Sequence, residues 1–161
     1  MGELFLHCAV AALVSFVVGF IWYNPKVFGN AWMNAAGLTE EKLRNSGRNM
    51  GVVFLLCYVF AFMAAIMLQN IVIHQMGVYS YFGDSPEKLK AFIDSAPEFE
   101  TKWRTFKHGA LHGTILGVFL ALPMVAINAM FEMKSWKYIW INTGYWVVCF
   151  ILMGGILSAW I

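Results

Sequence analysis

The chain has 161 residues, 60% of them hydrophobic and only 12% charged, whereas a soluble domain runs at about 45–50% apolar and about 25% charged. A chain of this length cannot hide so many apolar side chains in a core of its own, so lipid must cover the excess, and a free-standing soluble domain is excluded. The formal net charge is +2 and no basic stripe interleaves with aromatics, which excludes a nucleic-acid binder.

Four stretches lack Asp, Glu, Lys and Arg, and each is long enough for a hydrocarbon core of roughly 30 Å, which takes about 20 helical residues. They cover residues 4–23, 50–73, 108–131 and 138–161. Their apolar runs are continuous rather than alternating, and backbone amides in lipid must be satisfied within the segment, so helices are predicted and barrel strands are not. The fold class is therefore all-α: an integral membrane four-helix bundle forming a single domain over 1–161, with the lipid bilayer as its first partner.

The first span, 4–23, has no basic n-region and no Ala-x-Ala-like site, so it reads as a retained helix. It carries His7, then Ala11, Ser15 and Gly19 at four-residue spacing. The connection 24–49 opens on Asn24-Pro25 and brings Phe28 and Trp32 to the headgroup level. Thr39 then caps a short helix through Glu40, Glu41, Lys42 and Leu43, with Gly47 as its stop. The second span, 50–73, supplies Tyr58, the small residues Ala61 and Ala65, and Gln69 and Asn70 shortly before His74.

The connection 74–107 predicts two short amphipathic helices. Asp84 and Ser85 precede Pro86 at an N1 position, followed by Leu89, Phe92 and Ile93; Ser95 and Glu98 then form a capping-box pattern around Pro97. The stripe Phe99, Trp103 and Phe106, spaced by four and three, predicts a helix on the membrane surface that leads into the third span.

The third span, 108–131, carries Gly109, Gly113, Gly117 and Ala121 in register as a helix-packing ridge, and Pro123 as a bend. The fourth, 138–161, pairs Gly154 with Ser158 and Gly155 with Ala159. Every span thus has a seam of small residues, which is how helices associate in lipid. Cys8, Cys57 and Cys149 lie in three different spans with no CxxC spacing, so they read as small buried hydrophobes.

Up-down connectivity places all four histidines at one face: His7 begins the first span, His74 ends the second, and His108 and His112 begin the third. His108 and His112 stand at i and i+4, on one side of their helix, the spacing by which two imidazoles share a metal. Interhelical hydrogen bonding is the structural alternative. Tyr23 and Asn24, Tyr58, Asn128 and Glu132, and Asn142, Thr143 and Tyr145 form a second polar layer at the opposite face. Lys26, Lys42, Arg44, Arg48, Lys134 and Lys137 share that opposite face, on the shorter loops, against Lys88, Lys90, Lys102, Arg104 and Lys107 at the histidine face, so loop length and the uncharged-to-acidic N-terminus set the orientation. The positive-inside rule then places it in the cytoplasm and both termini outside.

The run Gly19-Phe20-Ile21-Trp22-Tyr23-Asn24-Pro25-Lys26-Val27-Phe28-Gly29-Asn30-Ala31-Trp32-Met33, followed by Gly37-Leu38-Thr39-Glu40-Glu41, resembles the bacterial membrane family known as domain of unknown function DUF1761. The likeness continues through His108-Gly109-Ala110-Leu111-His112-Gly113, Pro123, Asn128, Phe131-Glu132 and Ile141-Asn142-Thr143-Gly144-Tyr145-Trp146. The resemblance implies a small helical protein of the bacterial inner membrane. It implies no activity, ligand or catalytic residue.

No span centre holds Asp, Glu, Lys or Arg, and no GxSxG, HExxH, Walker or dinucleotide motif occurs, so the sequence names no nucleophile or base. Three functions remain. The first is assembly, as a homo-oligomer or as an accessory subunit of a membrane complex. The second is a small-solute or ion transporter or channel. The third is a haem or divalent-metal protein using His7, His108, His112 and His74.

Overall fold

Asn49, Thr105 and Ser135 open three of four long helices. Asn49 Oδ1 accepts the Gly51 and Val52 amides at 3.0 and 3.3 Å, Thr105 Oγ1 the His108 amide at 3.3 Å, and Ser135 Oγ the Tyr138 amide at 3.3 Å. The computed structural model describes residues 2–160, and its long helices run Gly2–Trp22, Met50–Val72, Phe106–Phe131 and Trp136–Ala159. No strand occurs among the described residues. The third and fourth helices begin earlier than a charge-free run allows, because Lys107 and Lys137 sit in the first turn, where a long stem can carry its charge out to water.

The fourth span is the hub and packs on each of the other three. Of its most apolar stretch 39% is buried, against 17% for the second span. The core joins Cys8, Ala11 and Val18 of the first span, Ala65, Leu68 and Val72 of the second, and Cys149, Met153 and Leu157 of the fourth. The outward faces are covered with large apolar groups, such as Phe20 at 80% and Phe119 at 76% exposure. Water would not tolerate such a surface, and a bilayer would.

The glycine ridge of the third span lies against the fourth. A Cβ on Gly109 would strike the Gly154 carbonyl, one on Gly113 the Phe150 carbonyl, and one on Gly117 would meet Val147 Cγ2 at 2.7 Å. The other seams also face inward: Ala11 and Ala65 are fully buried, Ala61 is buried, and Gly19 faces the Tyr145 ring. Ala121 leaves the ridge and is only half-buried. Its turn is a π-turn, Gly117–Ala121, in which the Leu122 amide reaches back to the Gly117 carbonyl. Pro123 has no amide proton, and its ring would clash with a carbonyl in a straight helix, so the wider turn relieves it and shifts the buried stripe to Ala126 and Ala129.

The first span also has a local break. The Leu13 amide bonds the Val10 carbonyl at 3.1 Å instead of continuing the α pattern. The Ala9 carbonyl receives the Tyr58 hydroxyl at 3.1 Å, and the Ala12 carbonyl the Ser15 hydroxyl at 2.8 Å. The break is thereby satisfied without water.

In the connections, the helix capped by Thr39 forms as Glu40–Arg44, stopping short of Gly47, and the helix after Ser85 forms as Pro86–Ser95. Helices at Asn30–Ala36 and Gln75–Tyr81 are additional. The surface helix expected through Phe99, Trp103 and Phe106 does not form. Ser95 Oγ donates to the Phe92 carbonyl, Pro97–Glu100 is a single 3-10 turn, and Trp103 adopts φ 65°. Tertiary bonds override the local period here. Gln75 Nε2 donates to the Phe99 and Lys102 carbonyls at 2.6 and 2.9 Å. Arg104 Nε donates to the Ser158 carbonyl at 2.8 Å, and its Nη2 to the Trp160 carbonyl. Residues 99–104 therefore form a strap over the end of the fourth span.

Arg104 satisfies carbonyls that a helix end leaves orphaned and brings a cation to the negative end of the dipole. Burial lowers its pKa, but an arginine stays protonated. Arg104→Ala is expected to cost about 1.5–3 kcal/mol, the range for charged hydrogen bonds. Thermal unfolding in detergent checks this, and Arg104→Lys should recover only part of the loss because an ammonium lacks the rigid planar fork that aims two donors at once.

Candidate metal centre

His74, His108 and His112 meet at one point. Their ligand atoms all lie within 4.8 Å of one another. His108 Nε2 is 2.8 Å from His74 Nε2 and 3.2 Å from His112 Nε2. Each partner is held by a separate device. His108 and His112 share one face of a helix fixed by the Thr105 cap and by the glycine contact with the fourth span. His74 sits where the second span turns into the helix Gln75–Tyr81, and Gln75, 2% exposed, anchors that turn to the strap. The strap also lays the Trp103 indole on the His108 ring, with centroids 5.4 Å apart and planes 26° apart.

Hydrogen bonding alone does not satisfy this cluster. A ring nitrogen offers either one proton or one lone pair, yet His108 Nε2 faces two other nitrogens at bonding distance. A cation accepts lone pairs from all three at once. Around zinc, bonds of about 2.0–2.1 Å in a tetrahedron put the nitrogens about 3.3 Å apart, near the 2.8 and 3.2 Å of the two His108 pairs. His74 is exposed, and His108 and His112 are half-buried, so the point is reached from outside the bundle.

His7 stands elsewhere: its ring stacks on Trp160, with centroids 4.3 Å apart. Gln69 also turns away, accepting from Cys8 Sγ at 3.3 Å and donating to the Leu4 carbonyl at 3.4 Å, which ties the first two spans. Asn70 folds back on the Ile66 carbonyl at 2.8 Å.

At the opposite end only part of the expected polar layer assembles. Tyr23 Oη donates to Asn142 Oδ1 at 3.2 Å, Asn142 Nδ2 to the Tyr138 carbonyl at 2.8 Å, and Tyr145 Oη to the Ser15 carbonyl at 3.0 Å. Asn24 caps the turn at Pro25 through the Lys26 amide. Tyr58 bonds the first span instead, and Thr143 is buried with its hydroxyl unpartnered among the described residues. Asn128 and Glu132 lie on an exposed face, because the π-turn has rotated the last part of their helix so that Ala126 and Ala129 face inward. Trp22, not expected in the layer, donates its indole proton to the Ile141 carbonyl at 3.0 Å.

Sequence spacing gave the His108–His112 pair but neither Gln75, Trp103 nor Arg104, whose roles arise from contacts across tens of residues. The left-handed backbone at Trp103 has no signal in a local stripe that matches a helix. No curated protein and no solved structure matches the chain. The family model described as "Protein of unknown function (DUF1761)" matches residues 6–158, nearly the whole length, and the chain belongs to that family.

Proposed function

We propose that this membrane protein binds one divalent transition-metal ion of the zinc class through His74, His108 and His112. The convergence of three imidazoles from two helices carries the reading. Three histidines leave a fourth position for water or a ligand, the pattern of zinc sites that do chemistry or exchange their ion rather than of closed structural sites. Imidazole also suits copper, iron and nickel, so the donor set favours a class of ions rather than one metal. Haem fits less well, since its axial ligands stand on opposite faces of a macrocycle and these nitrogens converge on one point. The loop charges favour a cell-membrane orientation with the histidine end outside the cytoplasm.

The other readings have less behind them. Assembly rests on the seams of small residues, and most of them, including Ala11, Ala61, Ala65, Gly109, Gly113 and Gly154, face inward within the bundle. A solute path would have to cross the fully buried layer of Cys8, Ala11, Ala65 and Met153.

The test is elemental analysis of protein purified without a polyhistidine tag or chelator, followed by titration with Zn(II) and Co(II). One ion per chain is expected, with a cobalt spectrum of low coordination number. A metal-free sample that takes up neither ion at micromolar concentration refutes the proposal.

A further inference from the structure

A groove of about 880 Å³ lies between the first, second and fourth spans, in the half of the bundle away from the histidines. Along the first span its lining runs from Ser15 to Tyr23, about 12 Å at about 1.5 Å per residue, which is one leaflet of a core roughly 30 Å thick. Phe20, Phe54 and Phe60 line it and are 80%, 55% and 60% exposed, so its mouth faces the lipid. Trp32 lines its boundary end and packs edge-on against Tyr23 at 5.3 Å. No charged residue lines it.

The polar end has a defined hydrogen-bonding character. The Tyr23 and Tyr145 hydroxyls have already given their protons, to Asn142 Oδ1 and the Ser15 carbonyl. Both phenolic oxygens keep lone pairs, and Asn142 keeps one amide proton. The site therefore offers two acceptors and one donor inside a ring of aromatic faces, and wants a ligand that donates. A phosphate head would find no cation. A glyceride would turn its ester oxygens on the phenolic oxygens and could offer at most one or two hydroxyl protons away from any ring. A hydroxylated aromatic ring donates from its edge and stacks on Tyr23, Trp32 and Tyr145.

We propose that this groove binds an apolar-tailed lipid with an uncharged dihydroxy-aromatic head, of the quinol class, with the head against Tyr23, Asn142 and Tyr145. The inference is independent of the metal centre at the other end of the bundle.

The test uses the full chain in lipid nanodiscs and a decyl-tailed benzoquinol kept reduced, with binding followed by Trp emission and corrected with empty discs. Saturable binding at one per chain is expected. The oxidised quinone, having no proton to donate, and dioctanoylglycerol should each bind roughly tenfold more weakly, as loss of hydrogen bonds implies. Cys57 lines the groove from its exposed wall. Cys57→Trp should fill the space and abolish binding, while Cys57→Ser keeps it; Tyr23→Phe, which lacks the phenolic oxygen, should weaken binding several-fold even if the filling variant misfolds. Uptake no greater than by empty discs, equal binding of the glyceride, or unchanged affinity in both Cys57→Trp and Tyr23→Phe overturns the proposal.

Discussion

Gly113→Leu should destabilise the protein by about 3 kcal/mol or more, at or above the top of the usual range for overpacked cores. The reason lies in what a side chain there would meet. Its Cβ would strike the Phe150 carbonyl and come within 2.8 Å of the Ile151 amide nitrogen. These are backbone atoms of the hub helix, which cannot rotate away as a side chain can, so the third and fourth spans must part. Separation forfeits the close contact of Gly109, Gly117 and Gly154 as well, and in lipid there is no hydrophobic drive to restore it. Gly113→Ala should fall between wild type and Leu. Leu111→Ala, on a face 57% exposed to lipid, should stay within about 0.5 kcal/mol of wild type. Reversible unfolding in mixed micelles measures all three. A Gly113→Leu protein as stable as Leu111→Ala would mean that the two helices do not touch along this ridge.

The same ridge illustrates what a sequence can and cannot disclose. Glycines four apart announce a close approach, but their spacing is silent on whether the partner is another span or another copy of the chain. Pro123 predicted a bend; the change of register came with it, since only the π-turn accounts for Ala121 leaving the ridge and Asn128 facing outward. The spans were legible because lipid demands long charge-free runs. The helices at Phe106 and Trp136 begin two residues before the charge-free runs, because a lysine in the first helical turn can still reach water. Phe99, Trp103 and Phe106 obey the helical period and yet no continuous helix runs through them. Propensity is a weak prior, and bonds from Gln75 and Arg104 outweighed it.

Among the histidines, spacing identified the pair His108 and His112, while depth alone put His7 and His74 on equal terms. The fold separates them. His7 faces the end of the fourth span, where Trp160 covers it, and His74 is turned onto the third span by the bend that Gln75 secures. That difference sets the second prediction. His108→Ala should lower zinc affinity by at least about 100-fold, since even partners that only orient a ligand are worth about 10–100-fold. His74→Ala and His112→Ala should approach the same loss, and His7→Ala should bind like wild type. His108→Ala should lose most, because His108 Nε2 is within bonding distance of both other nitrogens. Binding requires neutral imidazoles, so affinity should fall as the medium is taken from neutral to acidic pH, because protons compete with the ion for the same lone pairs. Competition against a chromophoric chelator across this range gives both results. If His7→Ala loses the ion and His74→Ala retains it, the metal lies on the fourth-span side of the bundle and the centre described here is wrong.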